Sequence, residues 1–362
     1  MTPYFSERFY NPSASYLAGR EVRAHVEAAR ASVANWLGAK PAEVIFTAGA
    51  TEANNLAIHG VMQRHPGANL LVAATEHEAT LAPARHYAHE LIPVNPKGMV
   101  DLVLLQNLID GHTVLVSVAI ANNETGVIQP LRQISALLAK IREQRRHTGN
   151  ELPLFLHTDA AQAASYLDLH AARLGVDLMT INGSKMYGPK QVGALFVSAK
   201  VMVEPQISGG QQERGLRSGT ENVAGIVGLA TALHKAQQHR KVTSERERNL
   251  RDLLLRHLKQ KFPDLVVNGD MKHRLPNNLN ISFPGLDGER VLMAADERGL
   301  QIATGAACSA NKHSASHVLK AMSCSEAVTN GSIRLSVGAG TTEEKIMQAS
   351  DILKQVIGEW HG

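Results

Sequence analysis

Short apolar runs alternate with amphipathic stretches along the first two hundred residues. AEVIFTAG (42–49), NLLVAAT (69–75), ELIPV (90–94), TVLVSVAI (113–120), LPLFLHT (152–158), DLMTING (177–183) and VGALFVS (192–198) read as strands, since their apolar residues run on without polar alternation. Between them lie helical patterns over about 15–37 (stopped by Gly38), 51–65, from Glu76-His77 onward, about 101–109, Leu131–His147 and the stretch after Asp159. Such alternation predicts a mostly parallel sheet covered on both faces. A long helical region from Val223 to about Phe262 follows the Gly-rich loop ISGGQQERGLRSGTEN (207–222). Beyond it LNISF and SIRLSVG read as strands among several helices. The charged middle of the long helix places a domain boundary near 238. The expected division is a large domain over 14–238 and a smaller α+β domain made of 1–13 plus 239–362.

Composition narrows the class. The chain has 362 residues, 44% of them hydrophobic and 19% charged, which suits a globular protein of two domains. No apolar run approaches the length of a membrane span, and two cysteines, Cys308 and Cys324, make no disulfide framework. A reducing, cytoplasmic location and no membrane partner are the expectation. The formal charge is only +4, and the basic runs 142–147 and 239–241 fall at helix ends without aromatic stacking residues. Nucleic acid is therefore not an expected partner.

The chemistry gathers where strands end, because ligands of a parallel α/β sheet sit at the carboxyl ends of its strands. Asp159 ends LPLFLHT and Lys185 follows DLMTING. Pyridoxal 5′-phosphate needs such a pair: a lysine for a Schiff base and a carboxylate to keep the ring nitrogen protonated. Taken singly, Asp159 also reads as a helix N-cap and Lys185 as an exposed loop cation. TAGATEANN (47–55) opens a helix after a strand, so its first-turn N–H groups and Thr51 form a phosphate cup, or simply a capped helix with Thr51 as N-cap. TEHEAT puts His77 past another strand end, where an imidazole can stack on a planar cofactor and move protons. His77, His86 and His89 lack an acidic or cysteine ligand at zinc-like spacing, so no metal is expected. ANNETG places Asn123 at the same edge, and Gln162 comes three residues after Asp159. Five strand ends thus offer Thr51, His77, Asn123, Asp159 with Gln162, and Lys185.

With these residues assembled, the chain resembles the cysteine desulfurases of the iron–sulfur-cluster and nitrogen-fixation type, members of the class V aminotransferases. The resemblance runs from about Asn11-Pro12 to the C-terminus through GATEANN, TEH, NNETG, HTDAAQ, GSKMYGPKQVGAL, RSGTEN, TGAACSA and SIRLSVG. It implies a fold-type I pyridoxal-phosphate enzyme with a seven-stranded-type sheet. Lys185 would carry the cofactor, Asp159 would pair with the pyridinium nitrogen, Gln162 would bond the phenolic oxygen and His77 would stack on the ring. Ala50, Thr51, Asn182 and Ser184 would hold the phosphate, Asn123 would border cofactor and substrate, and Arg334 would clamp the substrate carboxylate. Thr220 would reach the phosphate of a neighbouring subunit, which implies a homodimer.

Cys308, in the small-residue segment TGAACSANKHSAS, would take sulfur from L-cysteine as a persulfide, leaving L-alanine and passing sulfur to an acceptor or iron–sulfur scaffold protein. Its thiol also reads as a small buried hydrophobe, against which the loop composition argues. Cys324 reads as structural. Two departures from the family pattern stand out. Ser184 occupies the place before the lysine where the family usually has histidine. The sequence also starts after the short strand and turn with which family members begin, so weak turnover is the expectation. Alternative activities are a selenocysteine lyase, an aminotransferase-type relative, or a pyridoxal-phosphate-binding scaffold with little activity.

Overall fold

The computed structural model describes residues 1–305 and 315–359. Seven of the predicted runs form one sheet: β1 (Val44–Thr47), β2 (Asn69–Ala73), β3 (His89–Ile92), β4 (Thr113–Ser117), β5 (Phe155–Asp159), β6 (Leu178–Asn182) and β7 (Gly193–Val197). Their order is β1-β7-β6-β5-β4-β2-β3. Only β7 is antiparallel to its neighbours, so the other six point the same way. Thr47, Ala73, Ser117, Asp159 and Asn182 consequently end their strands at one edge. β1, β4, β5 and β7 are buried throughout, as their unbroken apolar runs require, whereas edge strand β3 exposes Glu90 and Leu91. The sheet is therefore the mixed, mostly parallel one that the patterning predicts.

Helices α1 (Leu17–Leu37), α2 (Ala50–Arg64), α3 (Glu78–Ala84), α4 (Leu102–Leu108), α5 (Leu131–His147) and α6 (Ala171–Leu174) accompany these strands. Helix α1 stops at Gly38, whose φ of 60° is the left-handed conformation glycine adopts at least cost. The core sets Ala53, Leu56, Ala57, Ile58 and Val61 of α2 against Ile45, Leu70, Val72, Leu115 and Leu195 of the sheet. Each large aliphatic side chain fully buried there contributes about 1.5–3 kcal/mol.

No helix follows Asp159. Residues 161–166 make successive turns, with Ala163 N–H donating to Ala160 and Tyr166 N–H to Ala163. Gln237 Nε2 donates to Ala164 O (2.6 Å) and Leu167 O (2.9 Å) in this stretch.

The chain divides into two compact units. The first comprises Met1–Ile92, Leu102–Ile120 and Pro130–Arg240; the second comprises Pro93–Asp101, Ala121–Gln129 and everything from Lys241 onward. Helix α7 (Val223–Lys261) contains the boundary at 240. Residues 1–13, expected in the smaller domain, belong instead to the first unit. There Arg23 Nε donates to Pro12 O (2.7 Å), and Gly19 packs directly on the Asn11 carbonyl. The second unit also takes in two short excursions, 93–101 and 121–129, that patterning alone does not mark. It contains an antiparallel sheet β10-β9-β8 built from β8 (Val266–Val267), β9 (Asn278–Ser282) and β10 (Ser332–Ser336), with α8 (Gly288–Asp296), α9 (His317–Ala321), α10 (Glu326–Asn330) and α11 (Glu343–Gly358). Leu254, Leu258, Leu279, Ile281, Ile333, Leu353 and Val356 form its core.

Candidate active site

Asp159 closes β5 and is 9% exposed. Asn54, on the buried face of α2, donates Nδ2 to Asp159 Oδ2 (2.7 Å), and Ala161 N–H donates to Oδ1 (2.8 Å). Burial pushes this carboxyl above its usual range, while the two donors and the charges of His77 and Lys185 pull it back. Asp159, His77 and Lys185, more than a hundred residues apart at the extremes, thus share one electrostatic environment. The N-cap reading of Asp159 fails, because its oxygen closes a two-residue turn and no helix begins there.

Lys185 lies in the 3₁₀ turn Gly183–Met186 directly after β6 and is exposed. This turn is tight: a side chain at Gly183 would put Cβ 2.8 Å from the Pro189 carbonyl, and Gly188 N–H donates to Gly183 O. His77 is the N-cap of α3, its Nδ1 accepting from Ala79 N–H (3.0 Å). Neighbouring histidines have other occupations. His86 packs on His59, with ring centroids 5.4 Å apart, and His89 Nδ1 donates to the Tyr87 carbonyl (2.9 Å).

The N-terminus of α2 is capped by Gly49, not Thr51, and no side chain satisfies its first turn. Gly49 has φ 139°, and nothing lies within 4 Å of where its Cβ would be. Open N–H groups at the start of a 15-residue helix receive an anion well. Ala50 is half-buried and Thr51 exposed at this opening. Glu52, the acid in that turn, accepts from Ala48 N–H (2.9 Å) and is paired with Arg217 (2.8 Å), which neutralises it. Asn182 ends β6, and Ser184 Oγ donates to its Oδ1 (3.4 Å). Gln162 is half-buried in the turns after Asp159 rather than on a helix. Thr220 is exposed and lines a cavity of about 220 Å³ with Thr47, Ala48, Gln191 and Arg217.

Two predicted residues fall in the second unit. Arg334 Nη1 donates to the carbonyl of Asn123 (3.0 Å), so Asn123 contributes its backbone there. Cys308 lies outside the described residues.

These side chains fit a pyridoxal phosphate. A buried carboxylate suits a protonated ring nitrogen, a helix N-terminus with no side-chain cap suits a phosphate, and an exposed lysine amine suits an aldehyde. Among the described residues Asn54 Oδ1, beside Asp159, is buried without a partner, which leaves polar capacity for a ligand.

Residues 1–348 match the family Aminotransferase class-V. The chain belongs to that family. Among proteins of known name it is similar to "Cysteine desulfurase IscS" of Dictyoglomus turgidum, 38% identical over 99% of this chain and 90% of the other. Among solved structures it is similar to a "NifS-like protein", with a TM-score of 0.90 and 30% identity over 99% of this chain and 94% of that one. A NifS-like protein from Rickettsia africae gives 0.85 and 28%, covering 96% and 92%.

This class V aminotransferase also carries polar residues that patterning overlooked. Glu76 is 2% exposed, accepts from Ala119 N–H (2.6 Å) and is pushed by burial to about 8. His157, fully buried on β5, is hydrogen-bonded to Ser117 Oγ on β4 (2.8 Å) and Thr180 Oγ1 on β6 (3.2 Å), and burial lowers its pKa to about 3. A neutral imidazole therefore ties three strands together two residues before Asp159. Polar letters inside the apolar runs TVLVSVAI, LPLFLHT and DLMTING are the signal that could have found it.

Proposed function

We propose that the protein is a pyridoxal-phosphate-dependent cysteine desulfurase. It takes L-cysteine to L-alanine and leaves sulfur as a persulfide on Cys308, for delivery to an acceptor in iron–sulfur or thio-cofactor assembly. The observation that carries the cofactor reading is the buried carboxylate of Asp159 beside the charges of Lys185 and His77. Likeness over nearly the whole chain to a protein named cysteine desulfurase supports the reaction.

When bound, the cofactor supplies an electron sink for bonds at the substrate α- and β-carbons. The rest of the work belongs to this chain. Asp159 would keep the ring nitrogen protonated, and Asn54 and Ala161 N–H hold the carboxylate in place. Ala50, Thr51, Asn182, Ser184 and the open N-terminus of α2 would bind the phosphate, and Gln162 would bond the ring oxygen. Lys185 would hold the cofactor, and its exposed amine is placed to move protons at the substrate. Arg334, held by the Asn123 carbonyl, pairs with the substrate carboxylate. The Cys308 thiolate attacks the substrate sulfur; an S–S bond forms as the C–S bond breaks, and the electron pair stays on the carbon that is protonated to the methyl of alanine. The active unit is a two-fold dimer, with Thr220 contributed to the partner's phosphate site.

Purified protein, pyridoxal phosphate, L-cysteine and a thiol reductant test this directly. Alanine and sulfide in equal amounts, with no keto acid added, are expected. Turnover that requires a keto acid would replace this reading with an aminotransferase.

A further inference from the structure

Glu124 has no part in the chemistry above, yet it is 4% exposed and bonded on every side. Its Oε2 accepts from Ser316 Oγ (2.5 Å), and Ser316 is the N-cap of α9, accepting from Leu319 N–H (3.1 Å). Gly305 packs on the same carboxylate: a Cβ there would lie 2.6 Å from Glu124 Oε2 and 2.7 Å from Ser316 Cβ. The main-chain carbonyl of Glu124 accepts from Asn278 (3.1 Å) and Asn280 (3.2 Å) on β9, and Asn280 is the cross-strand partner of Arg334. Arg334 in turn pairs with Ala303, two residues before Gly305, and donates to the Asn123 carbonyl. Burial raises the Glu124 carboxyl above its ordinary range, opposed by the Ser316 hydroxyl and the charges of His317 and Arg334.

We propose that Glu124 is a positioning residue: its carboxylate holds Gly305 and Ser316 together, fixing both ends of the segment in which Cys308 lies, while its backbone turn is held independently and presents the Asn123 carbonyl to Arg334. The part of this that concerns turnover rests on the desulfurase reading. Two separable consequences follow. Removing the carboxylate frees the anchors but leaves the backbone turn held by Asn278 and Asn280. Substrate binding through Arg334 then survives, and delivery of the thiolate does not.

The test compares wild-type holoenzyme with Glu124→Ala, Glu124→Gln and Ser316→Ala. Amide hydrogen exchange in peptides covering 301–305 and 315–320 is expected to speed up about tenfold or more in Glu124→Ala and Ser316→Ala, while peptides over β5 and β6 are unchanged. With L-cysteine, kcat of Glu124→Ala is expected to fall about ten- to a hundredfold while KM stays within about threefold, as misplacement of a reacting group dictates. Glu124→Gln keeps an acceptor for the Ser316 hydroxyl and is expected to recover most of both. Unchanged exchange at the two anchors in Glu124→Ala and Ser316→Ala would overturn the proposal. So would a Gln variant as impaired as the Ala variant. If wild type releases no alanine, the desulfurase reading fails, and the exchange comparison alone decides whether Glu124 holds the anchors.

Discussion

Asp159 and Glu124 are both carboxylates buried below a tenth of their surface, and burial pushes both above the usual range. What faces them differs. Asp159 has an amide on one oxygen, a backbone N–H on the other, and the charges of His77 and Lys185 nearby. Glu124 has a serine hydroxyl, a glycine packed on its carboxylate, two asparagines on its carbonyl, and the charges of His317 and Arg334 nearby. An acid held at a strand end by an amide and a backbone N–H, with an exposed lysine close by, is prepared for a ligand's charge. An acid bonded to a helix-capping serine and packed on a glycine, with its own carbonyl held by two asparagines, is prepared to hold a chain in place. Burial alone does not distinguish the two; the partners do.

The largest effect expected on either side is at Cys308. Cys308→Ala should keep the bound cofactor's colour and lose sulfide release from L-cysteine, whereas Cys324→Ala, whose thiol is half-buried against Val318, Leu319 and Met322, should change little. Sulfide release at the wild-type rate in the Cys308 variant would remove the persulfide step.

Asp159→Asn and Glu124→Gln sharpen the contrast directly. Losing one member of a buried charge pair costs about 3–5 kcal/mol, so Asp159→Asn should weaken pyridoxal phosphate binding by about a hundredfold or more. Glu124→Gln should leave that affinity unchanged, and absorbance titration measures both. Equal losses in the two variants would mean that the two acids do the same job.

A smaller effect belongs to Glu76. Its folded pKa of about 8 lies above its ordinary 4.5, so the folded state holds this proton more tightly than the unfolded chain does. The stability it contributes is complete below about pH 4.5 and is lost as pH rises through about 8. Glu76→Gln, which cannot ionise, should flatten the fall of Tm with pH over that window. His157 acts in the opposite sense, with stability lost as pH falls from 6.5 toward 3. A Glu76→Gln protein with the wild-type pH profile would show that another group sets it.

Much of this arrangement is legible in the sequence. Apolar runs placed all seven strands, and the residues after them placed Asp159, Lys185 and His77 at the correct ends, because a parallel sheet sends its strand ends to one edge. Long-range partners are what patterning misses. Nothing local announces that Asn54 bonds Asp159, since the contact joins a helix to a strand across 105 residues. The stretch after Asp159 reads as helix, and the Gln237 that bonds Ala164 O and Leu167 O there is 70 residues or more away. Glu124 looked like a loop residue inside NNETG because its anchors, Gly305 and Ser316, follow about 180 to 190 positions later.

The central claim is that the acid ending β5 and the lysine following β6 form the two poles of a pyridoxal phosphate site. Borohydride reduction of the coloured protein followed by peptide mapping tests it most directly. The account predicts one labelled peptide, carrying the reduced cofactor on Lys185, and a Lys185→Ala protein that stays colourless. A label on a different lysine, or a Lys185→Ala protein that still takes up the cofactor covalently, would contradict it.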